Sequence, residues 1–218
     1  MRPRTSILAE PRKQPVQARS AATVDAILDA TLQVLVTHGK DKLTTTRVAE
    51  RAGASVGTLY QYYPNKTALL QAVLLRKLEG ATAAIERACA EHRGETMTTV
   101  LPAVVEQFFR AKMRDPRGSL ALYAVGSDID AIRVTEHLRE RSTKALVAAI
   151  QAAPERYRTD PESMAFVLQG ALTGLSRRIL EARLTPRTYE PLIIELTTML
   201  CAYVDAQRGT TKQTRHAS

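Results

Sequence analysis

From Thr23 onward the apolar positions fall into a helical rhythm. Val24, Ile27, Leu28, Thr31 and Leu35 recur at steps of three, one, three and four, one stripe of a helix. His38-Gly39 closes that stripe, with Gly39 suited to the left-handed position past a helix end. A threonine within Leu43-Thr44-Thr45-Thr46 can cap a second, short helix through Val48, Ala49 and Ala52, which Gly53 ends. Ser55 is placed to cap a third, with Leu59 and Tyr63 four apart on its inner face. Pro64-Asn65 breaks it, and Asn65 can cap the next.

The fourth stripe is long. Leu70, Val73, Leu74, Leu78, Ala81, Ile85, Ala88 and Cys89 predict a helix over 66–91. Further helical stretches are expected at 100–114, 120–125, 129–152, 161–182 and 187–207. The breaks between them are Gly94, Asp115-Pro116, Gly126, Pro154 and Thr185-Pro186. Nothing alternates with period two, so the pattern predicts an all-α chain of about nine helices.

Composition narrows the class. A chain of 218 residues can bury a core without staples, and its two cysteines, Cys89 and Cys201, exclude a disulfide framework or a cysteine-based zinc module. They fit a reducing, cytoplasmic setting. The first twenty residues carry Pro3, Pro11 and Pro15 and little apolar material, and read as a flexible arm, not a secretory signal. No run of about eighteen apolar residues stands out, so no membrane span is expected.

The formal net charge of +9 suggests a polyanion partner. Its distribution says more. Residues 1–66 hold ten Lys/Arg against five Asp/Glu, while residues 67–218 hold 21 against 17. The excess gathers toward the first part and in a basic tail at 208–218, which holds Arg208, Lys212 and Arg215 and no acid.

The three short elements between Thr23 and Tyr63 have the layout of a helix-turn-helix, whose first helix crosses the phosphate backbone while its second lies in the major groove. Helix N-termini at Thr45, Ser55 and Asn65 offer unpaired N–H groups beside hydroxyls or an amide, which suits phosphate. Gly57 lets backbone approach a duplex closely. Tyr60, Gln61 and Tyr62 are expected on or beside the outer face, because Leu59 and Tyr63 are assigned inward.

The run from Thr45 to Leu70, TTRVAERAGASVGTLYQYYPNKTALL, resembles the DNA-binding segment of the tetracycline-repressor (TetR/AcrR) family of transcriptional regulators. The resemblance covers about residues 19–74; the rest agrees in being helical and of suitable length. It implies a homodimer that reads a palindromic double-stranded operator and is released by a small-molecule effector, with no cofactor. An activator of the same family stays open. By position, Thr45, Ser55, Thr58, Tyr60 and Lys66 match phosphate contacts, and Thr46, Val56, Gly57 and Tyr62 match places that approach bases. Two departures stand out. Val56 replaces a residue that is often polar or basic, so a thymine methyl becomes its contact. Tyr63 replaces the usual phenylalanine, and its hydroxyl must reach a partner or the domain edge.

The expected organisation is an arm at 1–20, the helix-turn-helix at 21–66, an effector and dimerisation region at 67–207, and the tail at 208–218. The last helix is apolar nearly all round: Leu192, Ile193, Leu196, Met199, Leu200, Tyr203 and Val204. Such a helix needs partners on more than one side. Gly170 and Gly174 would admit a close helix. A dimer interface through Gly170, Gly174, Leu196, Leu200 and Tyr203 is therefore expected, with packing inside one subunit as the alternative. Phe108, Phe109, Met113, Tyr123, Met164, Phe166 and Leu168 are candidates for an effector pocket, or plain core. The four histidines are dispersed, with no metal spacing, and no nucleophile elbow, Gly-rich phosphate loop or zinc motif supports catalysis. An all-α enzyme or ligand carrier with an incidental basic N-terminus is the rival class.

Overall fold

The computed structural model describes residues 18–126 and 129–209, with backbone only for Ala18 and Arg19. The arm up to residue 17 and the tail beyond 209 lie outside the described residues. Ten helices and no strand occur among those described. They are α1 (Ala18–His38), α2 (Thr45–Ala52), α3 (Val56–Tyr62), α4 (Lys66–Glu91), α5 (Met97–Lys112), α6 (Pro116–Ala124), α7 (Ala131–Val134), α8 (Glu136–Ala152), α9 (Pro161–Glu181) and α10 (Pro186–Ala206).

The structure departs from the sequence pattern at three places. Helix α1 starts before Thr23, at Ala18. The stretch expected at 129–152 divides at Thr135, whose hydroxyl donates to the Ala131 carbonyl at 2.7 Å. Helix α6 starts at Pro116 instead of residue 120, so Gly118 and Ser119 are helical. Proline is suited to the first helical position, and Asp115 Oδ1 accepts the Gly118 N–H at 2.9 Å as the N-cap. One helix, Ser20–His38, does meet the length and apolarity of a membrane span. Its Ile27, Leu28, Val34 and Leu35 are taken up by the protein's own core.

The chain forms two compact units. Among the described residues, the first takes those up to Gly80 and then those of Lys112–Leu138; the second takes Ala81–Ala111 and those from Arg139 on. Helix α4 thus gives its first half to one and its second half to the other, beyond the expected boundary after Lys66.

In the first unit one core joins α1 (Ile27, Leu28, Leu35), α2 (Val48, Ala49), α3 (Leu59, Tyr62) and α4 (Leu69, Val73) to Leu122 and Val125. Helix α6 is locked to that core. A Cβ on Gly118 would meet Leu32 of α1 at 3.0 Å and overlap the Asp115 carboxylate. Lys77 of α4 donates to both Asp115 Oδ2 (2.9 Å) and the Asp115 carbonyl (3.0 Å).

In the second unit, Pro102 inside α5 has no N–H, so the Thr98 carbonyl loses its helical partner. The Cys201 thiol of α10 reaches that carbonyl at 3.9 Å. A clasp closes the end of α10. Arg158 N–H donates to Gln207 O (2.9 Å) and Gly209 N–H to Arg156 O (2.7 Å). The Arg158 guanidinium caps the Ala206 carbonyl at 2.6 Å, and Arg208 pairs with Glu155 at 3.0 Å.

Burial alone would raise the Asp115 pKa, but hydrogen bonds from Gly118 N–H and Lys77, with the Lys77 and Arg117 charges, outweigh it and hold the carboxyl below its ordinary value. A group depressed in the folded state stabilises at neutral pH, and that contribution is lost as pH falls through the folded value. Asp115→Asn is therefore expected to lower the melting temperature at pH 7 and to flatten its decline below about pH 4. An acid profile parallel to that of the wild type would show that the clamp adds no stability.

Candidate nucleic-acid interface

Helices α2 and α3 are short, and their ends are fixed by their own side chains. Thr44 Oγ1 accepts the Arg47 N–H at 3.2 Å as the N-cap of α2. At the other end Gly53 takes φ +64, a left-handed conformation that costs glycine little. That turn lets Ala54 N–H reach Ala49 O at 3.0 Å. Ser55 Oγ accepts from Thr58 N–H at 2.9 Å and caps α3. Asn65 Oδ1 accepts from Ala68 N–H at 2.8 Å and caps α4.

Four of the nine residues singled out by position lie open. Thr46, Ser55, Gly57 and Tyr60 are exposed; Thr45, Val56, Thr58 and Lys66 are half-buried. Thr45 and Tyr60 are paired across the two helices, hydroxyl to hydroxyl at 3.2 Å. The Ser55 and Thr58 hydroxyls are 2.8 Å apart. The Lys66 ammonium donates to the Lys40 carbonyl at 2.8 Å, so the base of α4 is tied to the turn after α1. Val56 packs part of its surface on the core of the first unit and keeps part open.

Tyr62 is a correction. The sequence pattern puts it on or beside the outer face and the family resemblance makes it a base contact, yet only 6% of it is exposed. Its hydroxyl pairs with Ser20 Oγ at 2.7 Å. Helix α3 ends here, and Tyr63 follows with extended backbone, so both tyrosines turn inward. The Tyr63 ring is also buried. Burial pushes its phenol up to about 12, while the charge of Arg76 works against that rise and those of Asp25 and Tyr62 add to it. Arg76 lies 3.5 Å from Asp25 and 2.5 Å from Asp29, so the Tyr63 hydroxyl sits in the field of an ion-pair cluster between α1 and α4.

Sequence reasoning did not single out Arg47 and Arg51, both exposed on α2. Arg47 donates to the Lys42 carbonyl at 2.6 Å and Arg51 to Gln33 Oε1 at 2.8 Å. The signal was local charge: residues 40–66 hold five Lys/Arg and two acids. Held cations beside three capped N-termini form a surface suited to an array of phosphates.

Gly57 adds to this picture. Its φ is not positive, and an added Cβ would meet nothing closer than Ser55 Oγ at 3.7 Å. The fold does not require glycine there. Gly170 and Gly174 on α9 are alike, with nothing within 4 Å of an added Cβ.

In the second unit Leu196 and Leu200 correct a second expectation. They lie in their own subunit's core, Leu200 being 1% exposed, and are not open to a partner; Tyr203 is half-buried. The open large apolar positions are Phe166 (77% exposed) and Val167 on α9, with Leu192, Ile194 (65%) and Met199 on α10. Of the pocket candidates, Phe108 and Phe109 are buried edge to face with ring centroids 5.3 Å apart. Met164 and Leu168 are also core of that unit, whereas Phe166 is exposed. Met113 and Tyr123 lie half-buried in the first unit.

Residues 27–73 match the family described as "Bacterial regulatory proteins, tetR family", and residues 96–203 match "Tetracyclin repressor-like, C-terminal domain". The chain is 40% identical over 90 residues to the HTH-type transcriptional repressor KstR of Mycolicibacterium smegmatis, covering 41% of this chain and 43% of that protein. It is 38% identical over 90 residues to KstR of Rhodococcus jostii, covering 41% of each. These alignments span less than half the length of the curated relatives. A solved TetR-family regulator from Mesorhizobium loti superposes with a TM-score of 0.67 over 87% of this chain and 96% of its own, at 21% identity, and so shares the fold.

Two substitutions separate core from surface here. Tyr62→Phe removes a part-buried hydrogen bond and is expected to lower the unfolding free energy by about 1 kcal/mol. Gly57→Ala is expected to leave it unchanged or raise it by up to about 1 kcal/mol, because alanine fits the helix better. Denaturant titration reads both, and a destabilised Gly57→Ala would mean that the fold itself requires the glycine.

Proposed function

The chain belongs to the TetR family of bacterial regulatory proteins, and from that membership we propose that it is a transcriptional repressor that binds an operator as a homodimer. One observation carries the reading: a capped helix-turn-helix presents exposed hydroxyls, cations and a glycine that the fold does not require. Thr45, Ser55, Thr58, Tyr60 and Lys66 hold phosphates. Thr46, Val56 and Gly57 approach bases, with Gly57 giving backbone the closest approach. Tyr62 supports α3 from within. The repressive sign follows the name of the curated relatives.

The assignment divides labour along the chain. Residues 21–66 read DNA, and residues 67–207 hold a small-molecule effector and the dimer contact. The protein works in the cytoplasm, where its operator is.

The test is binding to DNA upstream of the protein's own coding region, measured across a salt series. Lys66→Ala removes one phosphate contact, so the plot of log affinity against log salt should flatten by roughly one unit. Phosphate contacts position without specifying, so the loss should be uniform across operator variants. The open edge of Val56 meets a thymine methyl, and uracil at that position lowers affinity by roughly a factor of several. A protein that binds this DNA no better than unrelated DNA refutes the reading.

The dimer forms through the open face of α9 and α10, where Gly170 and Gly174 admit a partner helix beside Phe166 and Ile194. Ile194→Asp puts a charge in that apolar contact, at high cost unless paired. The expected product is a monomer of native helix content with strongly reduced operator affinity. Leu200→Asp would instead unfold the subunit. A stable Ile194→Asp dimer in light scattering would place the contact elsewhere.

A further inference from the structure

Lys112 ends α5 and is 8% exposed. Charged ammonium groups are rarely buried without a carboxylate. Among the described residues no carboxylate pairs with this one, and its Nζ lies over the Tyr123 ring, 5.1 Å from the centroid. One turn before Tyr123, on the same face of α6, Ser119 Oγ is buried without a hydrogen-bond partner. Buried polar groups are nearly always satisfied, so an orphaned hydroxyl asks for an explanation. Among the described residues, a cation with no carboxylate partner and a hydroxyl with no hydrogen-bond partner thus lie along one face of α6, within the first unit.

We propose that Lys112 and Ser119 form the anion subsite for the effector, and that this effector is a small organic carboxylate with an apolar body. The inference rests on the reading of the protein as an effector-released repressor and names the effector's chemistry. The carboxylate accepts from the Lys112 ammonium and from the Ser119 hydroxyl, while the Tyr123 ring lies against the start of its apolar part. A neutral alcohol or amide of the same size leaves the cation unpaired and binds less well. The site also has a route to the DNA-binding helices. The Gly118, Leu122 and Val125 positions of the α6 segment lie on another side, packed on the helix-turn-helix core, with Gly118 against Leu32 of α1. A ligand wedged on the Ser119–Tyr123 face displaces α6, and α6 carries α1 with it.

The test is thermal stabilisation of the full-length protein, without DNA, by matched pairs at millimolar concentration: benzoate against benzamide, octanoate against octanol, decanoate against decanol. At least one carboxylate is expected to raise the melting temperature while its neutral counterpart does not. Lys112→Met should abolish that preference, Lys112→Arg should keep it, and Ser119→Ala should weaken carboxylate binding several-fold. The preferred carboxylate should also release the wild-type protein from its operator and fail to release Lys112→Met. A preference that survives Lys112→Met overturns the subsite, as does the absence of any preference among the three pairs. If operator binding is normal in either case, the repressor reading stands and only the subsite fails. If carboxylate preference is present but operator binding is absent, the repressor reading fails instead.

Discussion

At Gly53 the backbone turns left-handed, and that single conformation sets how α3 leaves α2. A residue with a Cβ would pay to adopt it, and without it Ala54 could not close back onto Ala49. The three caps around it, Thr44, Ser55 and Asn65, then fix the remaining ends, so two helices of eight and seven residues hold their geometry before any partner arrives. Helices this short have little stability in isolation. Here a shared core supplies it, and Leu122 and Val125 belong to that core. The helix-turn-helix is therefore built partly from chain that follows it by more than fifty residues.

That arrangement gives α6 two obligations. One side completes the core under the reading helices, and its first turn is clamped by Asp115 and Lys77. Another side carries Tyr123, with Lys112 over its ring, and Ser119 one turn earlier. A helix packed on both sides does not deform smoothly, because close-packed interiors shift between discrete arrangements.

The reading end was legible from sequence because its signals are local. Gly53, Ser55 and Asn65 act through bonds to residues three to five positions away, and the apolar stripe of α1 runs for several turns. Periodicity failed at Tyr62, where the helix ends: once Tyr63 is extended, a step along the chain no longer means a hundred degrees of rotation. The partner of Tyr62, Ser20, is 42 residues away and lies in a stretch of α1 that the stripe did not reach. It failed differently on α10. A helix apolar nearly all round does not reveal which side is its own core, and Leu196 and Leu200 prove to be that side while Ile194 and Met199 stay open. Lys112 carried no signal at all, since a lone lysine at a helix end ordinarily lies in water.

The clasp on α10 bears on motion. The last turn of a helix normally frays, because its carbonyls lack partners. In this protein Arg158 takes the carbonyls of Ala206 and Gln207, and the Gly209 amide is bound to Arg156. Amide hydrogens in that turn should therefore exchange about as slowly as those at mid-helix. Proteases will find little to grip before Gly209, and the open face of α10 stays a rigid rod to its final residue.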